Sequence, residues 1–185
     1  MVGCINGLRP AVFLDRDGVI AIPEFRDRRS FAPRQVRNFR LYPEAATCLE
    51  KLKRAGFVLA VVTNQPDVGR GLTPRSEVDA MHAIMRRELP LDAVKVCFHR
   101  QEDHCDCRKP KPGMILEAAG ELGINLKKSF MVGDRRIDIE AGRAAGCTTV
   151  FLDRDYEEPR PNAPDYVVHS IVEATNAIIE ITQTV

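Results

Sequence analysis

Five short apolar runs recur along the chain, each bounded by polar residues or glycine: AVFL (11–14), VLAVV (58–62), AVKVCF (93–98), SFMV (129–132) and CTTVF (147–151). Runs of this length and composition suit strands buried on both faces, which is possible only between two layers of helices. The intervening stretches have helical character. PEAATCLEKLKRAG (43–56) opens with a proline suited to a first turn and closes on glycine, and TPRSEVDAMHAIMRREL (73–89) offers Thr73 as an N-cap. GMILEAAGELG (113–123) and RRIDIEAGRAAG (135–146) repeat the pattern, and a last helix is expected after Ser170. Strand–helix alternation requires right-handed crossovers, so the expected fold is α/β: a Rossmann-like parallel sheet with helices on both faces. Ligands of such sheets sit beyond the carboxyl ends of the strands.

At 185 residues the chain is expected to form one domain. A net charge of +1 gives no general attraction to nucleic acid or anionic membrane. The arginine-rich segment 26–40, RDRRSFAPRQVRNFR, lacks interleaved aromatic platforms for bases and reads as a solvated loop or as a contact to a second anionic group of a substrate. MVGCINGLRP lacks the pattern of a secretory leader, and no apolar run is long enough to span a bilayer. A cytosolic monomer acting on a small metabolite is expected, without nucleic-acid or membrane partners. EEPRPNAP (157–164) reads as a surface connector, and His82 and His169 as surface residues.

The residues that follow the apolar runs carry the chemistry. Asp15-Arg16-Asp17-Gly18 follows the first, Thr63-Asn64-Gln65 the second, His99 and a cysteine cluster leading to Lys109 the third, and Gly133-Asp134 with Asp138 the fourth. Carboxylates, a hydroxyl, an amide and an ammonium thus converge on one sheet edge. That set suits phosphoryl transfer to a carboxylate nucleophile. A dianionic phosphate ester repels a carboxylate by about 4 kcal/mol per charge pair at 4 Å and an effective dielectric of 20. A Mg²⁺ held by the carboxylates, with a lysine, would cancel the repulsion. In Asp15-x-Asp17, one carboxylate can attack phosphorus while its neighbour serves as acid and base. A receiver-like phospho-acceptor domain shares the aspartate, threonine and lysine but has no use for the adjacent acid/base.

Together DRDG (15–18), TNQ (63–65), RKPKPG (108–113) and GDRRID (133–138) resemble the ordered motifs of the haloacid dehalogenase (HAD) superfamily of phosphatases. The resemblance implies Asp15 as nucleophile, Asp17 as acid/base, Thr63 as phosphoryl-binding hydroxyl and Lys109, rather than Lys111, as the motif lysine. It also implies Mg²⁺ held by Asp15, the Asp17 carbonyl and Asp134, with Asp138 as a further candidate. No stretch between motifs is long enough for a large cap domain. Asn64, Arg70 between two glycines, and Arg108 are the candidate substrate contacts.

Within CFHRQEDHCDCRKPKPGM (97–114), Cys97, His99, Cys105 and Cys107 supply three thiolates and an imidazole, a complete tetrahedral set for a structural Zn²⁺. This loop resembles the capless, zinc-containing subgroup that includes heptose-bisphosphate and histidinol-phosphate phosphatases. The implied substrate is a sugar bisphosphate of the heptose type, with histidinol phosphate as the alternative.

Overall fold

The computed structural model describes residues 7–26 and 29–183; Cys4 and Arg28 lie outside it. The strands are β1 (Ala11–Leu14), β2 (Glu24–Arg26), β3 (Arg29–Phe31), β4 (Val58–Asn64), β5 (Ala93–Cys97), β6 (Phe130–Gly133), β7 (Thr148–Leu152) and β8 (Tyr166–Val168). The helices are α1 (Ala45–Arg54), α2 (Pro66–Gly69), α3 (Arg75–Glu88), α4 (Gly113–Leu122), α5 (Arg136–Ala145) and α6 (Ile171–Gln183). Six strands form one sheet in the order β5-β4-β1-β6-β7-β8, and all five pairings are parallel. From β1 the chain builds outward to β4 and β5, then returns to β6 on the other side. The carboxyl ends of β1 and β6 therefore flank the point where the direction of winding reverses, where a crevice opens.

Alternate residues of the same strands feed two cores. Val12, Leu14, Leu59, Val61, Val132 and Val150 face one side, packed against Leu49 and Leu52 of α1, Met81 and Met85 of α3 and Ile178 of α6. Ala11, Phe13, Val58, Ala60, Val62 and Met131 face the other, packed against Met114, Ile115 and Ala118 of α4 and Ala141 of α5. Burying each larger aliphatic side chain contributes about 1.5–3 kcal/mol, so neither face can be exposed cheaply. The sheet is thus covered on both sides, as the apolar runs required.

Several local expectations are corrected. β4 continues through Thr63 and Asn64, held in the ladder opposite Val96 and Cys97. β5 is an edge strand, largely half-buried, and ends at Cys97. Thr73 does not cap α3: Pro74 takes the N-cap position without a side-chain hydrogen bond, and the Thr73 hydroxyl is buried without a partner. His82 is buried on α3 rather than exposed. The arginine-rich segment overlaps the antiparallel β2–β3 pair, which with one short 3-10 turn is the only regular helix or strand among the described residues between β1 and α1. No large cap is inserted there. Among the described residues no helix is long and apolar enough to cross a membrane.

Candidate active site

β1 delivers Asp15 to the sheet edge, its backbone N–H still donating to the Val132 carbonyl of β6 at 3.0 Å. Three residues on, Gly18 has φ +92°, a left-handed turn that favours glycine. A Cβ there would lie 1.9 Å from Asp134 Oδ2, so this turn needs glycine for space as well as conformation. Lys109 comes from the loop before α4. Its backbone is clamped to the end of β4 by a reciprocal pair: Asn64 Nδ2 donates to the Lys109 carbonyl and Lys109 N–H to Asn64 Oδ1, both at 3.1 Å. Asn64 lines the cleft, but its amide is committed to holding Lys109.

Lys109 Nζ lies 2.7 Å from Asp15 Oδ1 and 2.6 Å from Asp138 Oδ1, with the lysine 3% exposed. Burial would depress its pKa, but the carboxylates of Asp138 and Asp15 outweigh burial and raise it above the ordinary lysine range. Asp138 also accepts from the Arg135 N–H at 3.0 Å, closing the first turn of α5. Burial pushes its carboxyl up to about 6 although Lys109 pulls the other way. Asp134 is the extreme case: burial, then the charges of Asp15 and Asp138, raise it well above the carboxylate range. Among the described residues neither of its oxygens meets hydrogen-bond geometry, and the neighbouring group is the Tyr156 hydroxyl. Ligand oxygens of Asp15, Asp134 and Asp138 all lie within 4.8 Å of one another. Three carboxylates against one ammonium, with an orphaned pair of oxygens among them, are the donor set of a hard divalent cation.

Asp17 accepts from Arg16 Nε at 3.0 and 3.1 Å and from Gln65 Nε2 at 2.9 Å. Gln65 Nε2 also donates to Thr63 Oγ1 at 2.9 Å, so buried Thr63 is joined to Asp17 through Gln65. A cleft of about 510 Å³ opens above Asp15, Asp17 and Lys109, and Arg29, Arg70, Arg108 and Arg135 line it. Arg70 approaches Asp67 at 3.6 Å, and Arg108 Nη1 donates to the His99 carbonyl at 3.3 Å. Arg135 donates to Ser30 Oγ at 2.7 Å and to Glu158 at 3.2 Å, drawing the β2–β3 hairpin and the 157–164 segment to the cleft rim. That segment is therefore part of a wall as well as a connector.

The cysteine cluster assembles as its spacing suggested. Cys97 Sγ lies 3.7 Å from Cys105 Sγ and from His99 Nδ1, Cys107 Sγ is 3.3 Å from His99 Nδ1, and Cys105 and Cys107 are 3.4 Å apart. A disulfide needs about 2.05 Å. A tetrahedron with metal–sulfur bonds of about 2.3 Å has sulfur–sulfur edges near 3.8 Å, so the four ligands fit one closed site. His104 lies outside this group and is exposed.

Sequence reasoning had missed Arg16, Gln65, Arg135 and Tyr156. The Tyr156 hydroxyl is buried against Asp134, and burial and that carboxylate raise its pKa. Arg16, Gln65 and Arg135 stood inside quoted motifs with no role assigned to them, whereas Tyr156 meets the site only through folding.

Buried aspartates at the ends of the first and last motif strands, β1 and β6, with a lysine between them, define a HAD-like hydrolase, a phosphatase. Residues 106–174 match the family model described as HAD-hydrolase-like. The chain is 33% identical to D-glycero-beta-D-manno-heptose-1,7-bisphosphate 7-phosphatase of Escherichia coli K12, over 91% of this chain and 93% of the relative. It is 37% identical to the Rhodopseudomonas palustris protein of that name, over 75% and 80%. The chain belongs to this family of HAD phosphatases. Among solved structures, D,D-heptose 1,7-bisphosphate phosphatase from B. bronchiseptica, complexed with magnesium and phosphate, superposes with a TM-score of 0.80 at 25% identity, covering 93% of this chain and 99% of the other. A putative HAD-like phosphatase from Mesorhizobium loti gives 0.76 at 29% identity, covering 98% and 91%.

Proposed function

We propose that this chain removes the 7-phosphate of a D-glycero-D-manno-heptose 1,7-bisphosphate in a Mg²⁺-dependent reaction through an aspartyl phosphate on Asp15. The observation that carries the mechanism is the buried Asp15–Lys109 pair at 2.7 Å beside the orphaned carboxylate of Asp134. Asp15, the Asp17 carbonyl and Asp134 would hold Mg²⁺, with Asp138 nearby as the less committed ligand because it already pairs with Lys109. When bound, the ion supplies positive charge for the phosphoryl oxygens.

In the first half-reaction an Asp15 oxygen forms a bond to phosphorus while the bond from phosphorus to the sugar oxygen breaks, and Asp17 gives its proton to that leaving oxygen. In the second, Asp17 takes a proton from water, whose oxygen displaces Asp15 and releases inorganic phosphate. Lys109 offsets charge on the nucleophile and the transferring group. Thr63 accepts from Gln65, so its own hydroxyl proton remains to be donated to a phosphoryl oxygen. Arg70 and Arg108 line the cleft within reach of a substrate and supply cations for its second phosphate.

The relatives' names support the heptose substrate. The fit of Cys97, His99, Cys105 and Cys107 to a tetrahedron supports Zn²⁺ as a structural ion holding the backbone next to Lys109. The reading includes a single domain acting as a cytosolic monomer. Phosphate release is to be measured with Mg²⁺ across heptose 1,7-bisphosphates, histidinol phosphate, common sugar phosphates and p-nitrophenyl phosphate. The highest kcat/KM is expected for a heptose bisphosphate. Preference for histidinol phosphate replaces the substrate assignment, and no release from any ester overturns the mechanism.

A further inference from the structure

Arg16 stands between the two motif aspartates, is 0% exposed, and appears in none of the steps above. Its guanidinium pairs with Asp17: Nε donates to the two carboxylate oxygens at 3.0 and 3.1 Å, and Nη2 stands 2.9 Å from Oδ2 as an ion-pair contact without hydrogen-bond geometry. Each aspartate thus has its own cation: Lys109 for Asp15 and Arg16 for Asp17. A buried guanidinium has five donors to place, and its remaining surroundings come from across the fold. His82 Nε2 of α3 lies 3.3 Å from Nη1, Met81 Sδ is 3.8 Å from the same nitrogen, and the Phe39 ring centroid is 5.5 Å from the guanidinium carbon.

Arg16 can only donate, so His82 Nε2 must be the acceptor and the imidazole neutral. Burial, then the charges of Arg16 and Arg86, lower the His82 pKa to about 3, which agrees with a neutral ring. The chain of contacts therefore runs from α3 through His82 and Arg16 to Asp17, and on through Gln65 to Thr63.

We propose that Arg16, held from behind by His82, is the positioning residue that sets the direction of the Asp17 carboxylate, and that His82 serves the reaction only through Arg16. The inference rests on Asp17 as the acid/base. A carboxylate gripped along one edge has one rotamer, leaving its free lone pair directed to the cleft. Loss of the rear acceptor lets the guanidinium, and Asp17 with it, rotate.

The test compares His82→Leu, which removes the acceptor, with His82→Gln, whose amide oxygen can replace Nε2. For His82→Leu kcat is expected to fall by on the order of 10- to 100-fold, the cost of about 1 Å of misplacement. KM should stay within about twofold, because the cleft cations Arg70, Arg108 and Lys109 are not part of this chain of contacts. His82→Gln should recover most of the lost kcat. If His82→Leu does not fold, as judged by circular dichroism, His82→Thr is read against His82→Gln in the same way. Asp17→Asn is measured alongside, and the double variant Asp17→Asn/His82→Leu should be no slower than Asp17→Asn alone. Wild-type kcat in His82→Leu, equal loss in the Leu and Gln variants, or a further loss in the double variant overturns the inference while leaving Asp17 in its role. A fully active Asp17→Asn instead removes the acid/base assignment on which the inference stands.

Discussion

Replacing Lys109 with Met tests the electrostatic design of the site most directly. The ammonium lies 2.7 Å from Asp15 and 2.6 Å from Asp138, nearly buried at the floor of the cleft. At an effective dielectric of 20, each contact corresponds to about 6 kcal/mol of direct attraction, most of it offset by the cost of desolvating the charges. Removing one partner restores none of that desolvation, so a net loss of about 3–5 kcal/mol of stability at pH 7.5 is expected. The deficit should depend on pH in a defined direction. Burial has already pushed Asp138 up to about 6, with Lys109 partly opposing the shift, and the substitution removes that opposition. A carboxyl whose folded pKa exceeds its unfolded value of about 3.9 takes up its proton first in the folded state. Acidification therefore neutralises the uncompensated charge and favours folding relative to neutral pH. The variant's deficit should be largest above pH 7 and shrink as pH falls through 6. Urea unfolding of both proteins at pH 7.5 and 5.5, without added Mg²⁺ and with equal m-values, measures it. Wild-type stability at pH 7.5, or a deficit that grows on acidification, refutes the reasoning.

Three further outcomes follow from the same contacts. Gly18→Ala places a methyl 1.9 Å from Asp134 Oδ2 at φ +92°; it should cost about 1–3 kcal/mol of stability and raise the Mg²⁺ concentration needed for half-maximal activity, and an unchanged Mg²⁺ requirement would contradict the close approach. On the proposed zinc site, chelator treatment should lower both melting temperature and kcat, because Cys107 lies two residues from Lys109; full activity in verified metal-free protein would refute the link. His82 is held near 3 by burial, Arg16 and Arg86, so between pH 6.5 and about 3 the unfolded chain binds a proton that the folded chain refuses. Stability should therefore fall with pH in that window, by at most about 1.4 kcal/mol per pH unit from this residue, and His82→Gln should flatten the slope in urea titrations.

Periodicity and motif order carried far because they report local constraints. An apolar run covered on both faces has few architectures open to it, and β1, β4, β6 and β7 lie where their runs do. The spacing of Cys97, His99, Cys105 and Cys107 was legible because all four ligands lie within one loop and the end of one strand. Elements whose sequence lacks a strong period were not legible. β8 is three residues long with two of them exposed, and the β2–β3 hairpin is hidden among arginines and stabilised by contacts such as Arg135 with Ser30. Thr73 had the chemistry of a cap, yet the backbone at Pro74 placed the helix start one residue later.

By itself the sequence determined the parallel α/β architecture, the aspartates, the lysine and the cysteine–histidine loop, because each rests on residue type and short spacing. Only the tertiary structure decided how their charges are shared. Lys109 bridges Asp15 to Asp138, Arg16 turns to Asp17, and His82 is buried behind it, 66 positions along the chain from Arg16. Those pairings depend on which side chains meet in a dry interior, where an unpaired charge is costly and the nearest counter-charge is set by packing rather than by sequence distance.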